Sequence, residues 1–228
     1  YVSYVDKASE KRIVERLHEL LPEAGFIAEE GSGSLEEQEY CWVVDPLDGT
    51  SNYIHDCTPY CVSIALRNRE EILLGVVYEC GREELFWAHK NSRAYLNGKE
   101  ICVSDQSVLD QSFIMPELPY KAERYSPFIL PLMRDLYGHV SGIRMLGSAA
   151  AELCYVAAGR FEIFIEAFLG PWDIAAGYII LKQAGGRMTD FSGNSNGPDA
   201  KEVLASNGKV HEELLKVLQR HKKLLKHE

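Results

Sequence analysis

The chain has 228 residues, a length that fits one or two domains and suffices for a sizeable core. Apolar residues make up 46% and charged residues 25%, the balance of a soluble globular protein rather than a fibrous or low-complexity one. A net charge of −10 argues against a nucleic-acid backbone as partner and suits a protein that gathers cations.

Apolar positions at Ile13, Val14, Leu17, Leu20 and Leu21 predict a helix over residues 7–21, closed by Pro22. "GFIAEE" reads as a short strand running into Glu29 and Glu30, and "GSGSLEEQE" as a polar loop. "CWVVDPLDGTSNY" opens as a buried strand, Trp42 to Val44, and breaks at Asp45. Between Tyr60 and Val103 the runs "YCVSIALRN", "EILLGVVYEC", "ELFWAHK" and "AYLNGKEICV" predict an antiparallel meander, with Asn97-Gly98 as a hairpin turn. From about Ser107 strands alternate with helices: "SFIMPEL", a helix over 127–137, "GIRML", a helix over 148–158, "RFEIFIEA", a helix over 171–184, "EVLASNG" and a final helix over 209–225. That alternation predicts a parallel or mixed sheet. The rhythm sets a boundary near residue 106, with an α+β domain over 1–106 and an α/β domain over 107–228.

No apolar run approaches the ~20 residues of a membrane-spanning helix, and no signal-peptide pattern is present. Six cysteines, Cys41, Cys57, Cys61, Cys80, Cys102 and Cys154, lack paired zinc spacing and read as reduced, mostly core residues of a cytoplasmic protein. His18, His211, His221 and His227 fall on helices and read as wet surface residues, as does the run "RHKKLLKHE".

The chemistry concentrates in Asp45-Pro46-Leu47-Asp48-Gly49-Thr50. Two carboxylates this close suit a hard cation such as Mg²⁺, which takes oxygen ligands. Pro46 stiffens the turn, which leaves the Leu47 carbonyl as a further candidate ligand. Gly49 permits positive φ and close approach of a ligand to the backbone. Thr50 and Ser51 open a helix, whose free N–H groups can hold a phosphate. The plainer reading is a turn with a helix cap. Taken one at a time, Glu29, Glu30 and Asp173 are also explained by a loop edge and a favourable first-turn charge.

Four segments in order resemble the inositol monophosphatase family: "FIAEE", "WVVDPLDGTSNY", "GSAAAELC" and "WDIAAGYIILKQAGG". The resemblance spans nearly the whole chain. It implies a layered αβαβα sandwich, with an antiparallel N-terminal sheet and a mixed C-terminal sheet. It implies a phosphomonoesterase using two magnesium ions, with a third, weaker ion near Glu29, and inhibited by Li⁺. Glu29, Asp45 and the Leu47 carbonyl would hold the first ion, and Asp45, Asp48 and Asp173 the second. Gly49 and Thr50 would give backbone N–H groups to the phosphate. Asp6 with Thr50, and Glu29, would act on the attacking water; Ser3 stands where the family's Thr-x-x-Asp element has threonine. Glu166 would grip substrate hydroxyls, and Ser148 and Ala149 would contact the polyol ring. The family also carries a helical segment ahead of the Asp6 element. A homodimer is implied, and no membrane span.

Relatives act on inositol phosphate, fructose bisphosphate, phosphoadenosine phosphate, histidinol phosphate or NADP. Asn52, Tyr53 and Glu166 favour inositol monophosphate or a similar polyol phosphate, and a lipid-linked inositol phosphate is an alternative. A different class of function is an inactive protein that binds polyol phosphates. The intact set Glu29, Asp45, Asp48, Thr50 and Asp173 speaks against it.

Overall fold

The computed structural model describes residues 4–31, 38–119, 121–195 and 197–222. Ser3, most of the polar loop (32–37), and residues 223–228 with His227 lie outside them.

Helix α1 (Tyr4–Leu20) precedes β1 (Gly25–Ala28), which pairs parallel with β2 (Tyr40–Asp48). Strands β3 (Cys61–Asn68), β4 (Ile72–Glu79), β5 (Glu84–His89), β6 (Ala94–Leu96) and β7 (Lys99–Ile101) continue from β2 as the expected antiparallel meander, in the order β1-β2-β3-β4-β5-β6-β7. Asn97 and Gly98 both take positive φ, 47° and 78°, the type I′ hairpin signature. Two details differ from the sequence reading. Strand β1 ends at Ala28, so Glu29 and Glu30 occupy the turn beyond it. Strand β2 does not break at Asp45 but runs on to Asp48, with its register against β3 slipping between those two aspartates. Pro46, which cannot donate to a ladder, sits in that irregularity.

The second sheet contains β8 (Phe113–Pro116), β9 (Gly142–Ile143), β10 (Ile163–Ala167), β11 (Arg187–Thr189) and β12 (Glu202–Ser206). Its order is β11-β12-β10-β8-β9, parallel at β8–β9 and β8–β10 and antiparallel at β10–β12 and β11–β12. Helices α4 (Ala149–Ala157) and α5 (Pro171–Gln183) pack on each other and lie between the sheets. Their side chains share one core with Val43, Val77 and Phe86 from the first sheet and Met115, Phe164 and Val203 from the second. Helix α1 covers the outer face of the first sheet, through Leu17 against Phe26, Trp42 and Val44. Helices α3 (Ala122–Leu136) and α6 (His211–Lys222) cover the outer face of the second, over Ile114, Ile163, Ile165 and Leu204. The layers therefore run α, β, α, β, α.

Pro127 does not begin α3. The helix starts five residues earlier and carries Pro127 and Pro131 inside it. An interior proline costs roughly 3 kcal/mol, which burial of Tyr125, Phe128, Ile129 and Leu132 offsets. His211 is not on a wet face either. It is fully buried, within hydrogen-bond reach of Thr189 and Ser206, and burial pulls its pKa down to about 4. His221 is mostly covered and pairs with Asp135 at 2.8 Å, whereas His18 is exposed as expected. The cysteines are free, but only Cys41, Cys61 and Cys154 are buried; Cys57 and Cys102 are exposed.

Gly75 on β4 seats α5 on the first sheet: a Cβ there would lie 2.7 Å from both the Ala176 carbonyl oxygen and the Ile179 Cγ2. Gly75→Val should lower unfolding stability by about 1–3 kcal/mol in denaturant titrations. An unchanged midpoint would mean that α5 does not rest on this strand.

Candidate active site

Side-chain alternation along each strand assembles the site. On β2, Trp42 and Val44 face α1 while Val43 faces the middle layer, so Asp45 also points inward. On β10, Ile163 and Ile165 face outward and Phe164 inward, which turns Glu166 toward the same layer. On β8, Ile114 faces outward and Met115 inward, and Glu117 follows with the inward parity. The N-termini of α4 and α5 meet these strand ends and bring Ser148 and Asp173.

Single carboxylate oxygens of Asp45, Asp48 and Asp173 lie within 4.8 Å of one another. Each aspartate is held by donors from nearby backbone. Asp45 Oδ1 accepts the Leu47 N–H at 2.9 Å. Asp173 Oδ2 accepts the Gly170 N–H at 2.7 Å, which locks the first turn of α5. Asp48 Oδ2 accepts the Ser148 hydroxyl at 2.6 Å and the Ala150 N–H at 2.8 Å. Asp48 thus caps α4 from another element, and the helix dipole favours its charge. Glu29 lies close enough for Asp45 and Asp48 to act on it, and burial, the largest cause, raises its pKa.

Beside them the Thr50 hydroxyl lies 3.0 Å from Asp6 Oδ1 and 3.0 Å from the Leu47 carbonyl, with one proton to give. Asp6 is buried on α1, so this contact ties the N-terminal helix to the turn over Asp45–Thr50. Gly49 starts α2 (Thr50–Ile54) with φ 87°. A Cβ there would meet the Pro59 carbonyl oxygen at 2.9 Å, so the turn requires glycine.

Burial, then mutual repulsion, pushes the carboxyl pKa values up. Asp45 rises well above its ordinary value, with Asp48, Glu29 and Asp173 all repelling its charge. Asp173 rises to about 8, through burial first and Asp48 second. No basic side chain figures among the main influences on Asp45, Asp48 or Asp173. An all-oxygen, unneutralised donor set of this kind fits a hard divalent cation.

Not every residue singled out in the sequence faces open space. Ser148 is 1% exposed and its hydroxyl is committed to Asp48, and Ala149 beside it is buried as well. Ser148 therefore supports Asp48. The Asn52 amide donates to the carbonyls of Pro59 at 2.7 Å and Leu146 at 2.6 Å. It staples α2 to the approach of α4, so it says little about substrate. Sequence reasoning missed Glu117 and Glu152, both buried behind Asp48. The signal was available: Glu152 is an acid inside the apolar run "AAAELCYVA".

A profile of the inositol monophosphatase family matches residues 1–223. The chain belongs to the inositol monophosphatase family. It is 36% identical to an inositol-1-monophosphatase of Mesorhizobium japonicum, over 96% of this chain and 83% of that protein. It is 37% identical to a fructose-1,6-bisphosphatase/inositol-1-monophosphatase of Aquifex aeolicus, over 97% and 83%. The crystal structure of the extragenic suppressor protein suhB from Bartonella henselae superposes with a TM-score of 0.92 at 36% identity, covering 96% of this chain and 85% of that one. As a member of the inositol monophosphatase family the chain is a phosphomonoesterase of polyol or sugar phosphates. No helix among the described residues is long and apolar enough to cross a membrane.

The raised carboxyls give a signed prediction. Asp173 holds its proton up to a pKa of about 8, against an unfolded value of 3.8. In metal-free protein its contribution to stability is fully present below the unfolded value and is lost as pH rises through about 8. A cation must displace that proton, so divalent-metal affinity should climb over the same interval. Thermal unfolding and calorimetric metal titration across pH check both. Metal affinity independent of pH would contradict the assignment.

Proposed function

We propose that this chain is a magnesium-dependent, lithium-inhibited phosphatase of inositol monophosphate or a similar polyol phosphate. The observation that carries the reading is the convergence of Asp45, Asp48 and Asp173 oxygens within 4.8 Å, beside the hydrogen-bonded Asp6–Thr50 pair. Glu29, Asp45, the Leu47 carbonyl, Asp48 and Asp173 would hold two magnesium ions, with a third, weaker one near Glu29. Bound there, magnesium supplies Lewis acidity to a water and neutralises the charge of the phosphate.

The chain's own groups do the rest. Thr50 Oγ1 donates to Asp6 and keeps lone pairs free to accept from the attacking water. As the oxygen of that water bonds to phosphorus and the opposite ester P–O bond breaks, the water's proton passes to Thr50 while the Thr50 proton passes to Asp6, and the departing alkoxide takes a proton from solvent water. Glu29, on the open side of Asp45, orients the same water. The N–H groups of Gly49 and Thr50 start a helix and so lack intrahelical partners; they receive phosphate oxygens. Glu166, half-buried and facing inward from β10, accepts hydrogen bonds from substrate hydroxyls. Phosphoryl transfer asks chiefly for positioning and charge neutralisation, which this arrangement offers. The site lies between residues 1–106 and 107–228, which we read as two domains. A homodimer in the cytoplasm is the setting the resemblance favours, and the six free cysteines suit a reducing compartment. The Aquifex aeolicus relative, named for both activities, favours fructose 1,6-bisphosphate as a second substrate.

Phosphate release with Mg²⁺, with and without Li⁺, tests this across inositol monophosphate, fructose bisphosphate, phosphoadenosine phosphate, histidinol phosphate and NADP. Fast, lithium-blocked turnover of inositol monophosphate is expected. Preference for another ester would overturn the substrate assignment and leave the metal mechanism. Release from none would favour a binding protein. Asp48→Asn and Asp173→Asn should each abolish turnover in a folded protein, as judged by circular dichroism. Retained activity in either would refute the ligand set.

A further inference from the structure

Behind the Asp48 carboxylate lie two acids that the mechanism does not use. Glu117 follows β8, and its Oε1 accepts the Leu146 N–H at 2.6 Å and the Gly147 N–H at 3.4 Å. Glu152, in the first turn of α4, is fully buried, and its Oε2 accepts the Ser148 N–H at 3.3 Å. Between them the two side chains hold the backbone of residues 146–148.

Burial raises both pKa values, and the two carboxyls also act on each other: a hydrogen bond from Glu152 to Glu117 accounts for Glu152 lowering the Glu117 pKa and Glu117 raising that of Glu152. Such a bond requires one proton between two carboxylates. Glu152 Oε1 is buried, and no N–H or O–H of the described residues reaches it. The Ser148 N–H already engages Oε2, so the shared proton belongs on Oε1, facing Glu117. Placed there, it gives Glu152 Oε1 a partner, the one buried side-chain oxygen among the described residues that otherwise lacks one. A leucine would suit the apolar neighbours on α4, whereas an acid in this position is costly unless it is paired.

What the pair holds is next to the metal cradle. The Leu146 carbonyl accepts from Asn52, on the helix that follows the metal turn. The Ser148 hydroxyl and the Ala150 N–H both grip Asp48 Oδ2. Asp48 therefore points where residues 146–150 let it point. Resting on the metal-dependent reading above, we propose that Glu152 and Glu117 form a positioning pair that fixes the backbone of residues 146–148 and through it the orientation of Asp48 toward the metal. Neither touches substrate or the reacting atoms.

The test sets Glu152→Gln against Glu152→Leu. Glutamine preserves the pattern, its carbonyl accepting from Ser148 and its amide donating to Glu117. Leucine preserves volume and deletes both contacts. Mn²⁺ binding to metal-free protein is read by electron paramagnetic resonance of the free ion. Turnover against Mg²⁺ concentration and thermal unfolding are followed in parallel. E152L should bind Mn²⁺ about 10–100-fold more weakly and need correspondingly more Mg²⁺ for half-maximal rate, the range seen for groups that orient metal ligands. E152Q should stay within the same order of magnitude as the unmodified chain. A purely structural role would lower the melting temperature of E152L and leave its metal affinity alone, and that result overturns the inference. So does an E152Q as impaired as E152L. If E152L does not fold, Glu117→Leu removes the same contact from the other side and is read in the same way. The Mn²⁺ arm decides this inference even if no ester is turned over; phosphate release by the unmodified chain decides the phosphatase reading separately.

Discussion

Like charges withdrawn from water repel strongly, and this chain puts Asp45, Asp48, Asp173 and Glu29 together at the ends of its inner elements. With no basic side chain prominent among them, the fold tolerates the group only through backbone and hydroxyl donors and through protons held above their ordinary pKa. A divalent cation relieves that repulsion more completely than any of these. Much of the architecture around the site can be understood as support for a cluster that is uncomfortable without its ion.

The layered arrangement supplies the support. Two sheets face a middle layer of α4 and α5, and only inward-facing strand positions reach it. Alternation then selects Asp45, Glu166 and Glu117 without further instruction. Helix N-termini complete the site from inside the middle layer, where their unpaired N–H groups and dipoles favour negative charge. Small residues keep this layer thin: α4 begins Ala149-Ala150-Ala151, and Gly75 lets α5 lie directly on β4. The contact from Thr50 to Asp6 brings α1 into the same construction from the outer face.

Much of this was readable from the residues. Alternating apolar runs and the Asn97-Gly98 turn marked the meander, because both are local signals. The metal turn stood out because six residues in a row suited one chemistry. Errors arose where tertiary context outweighs local preference. Pro127 looks like a helix start, yet buried aromatic and aliphatic side chains carry α3 through two prolines. His211 looks amphipathic by spacing but is buried against Ser206 and Thr189, which lie in other elements. Strand β11 is three residues long, too short for periodicity to register. Asn52 read as a mark of the substrate class, and its hydrogen bonds to Pro59 and Leu146 give it a supporting role that spacing alone does not show. Glu152 was legible as an acid inside an apolar helical run, whereas Glu117 follows a short strand and shows itself only through its partners.

The most direct measurement is diffraction from crystals grown with Mn²⁺, using the anomalous signal to locate the ion. The account predicts density bridged by the carboxylates of Asp45, Asp48 and Asp173, with Glu29 and the Leu47 carbonyl alongside. Anomalous peaks elsewhere, or none at these residues in crystals saturated with Mn²⁺, would contradict it.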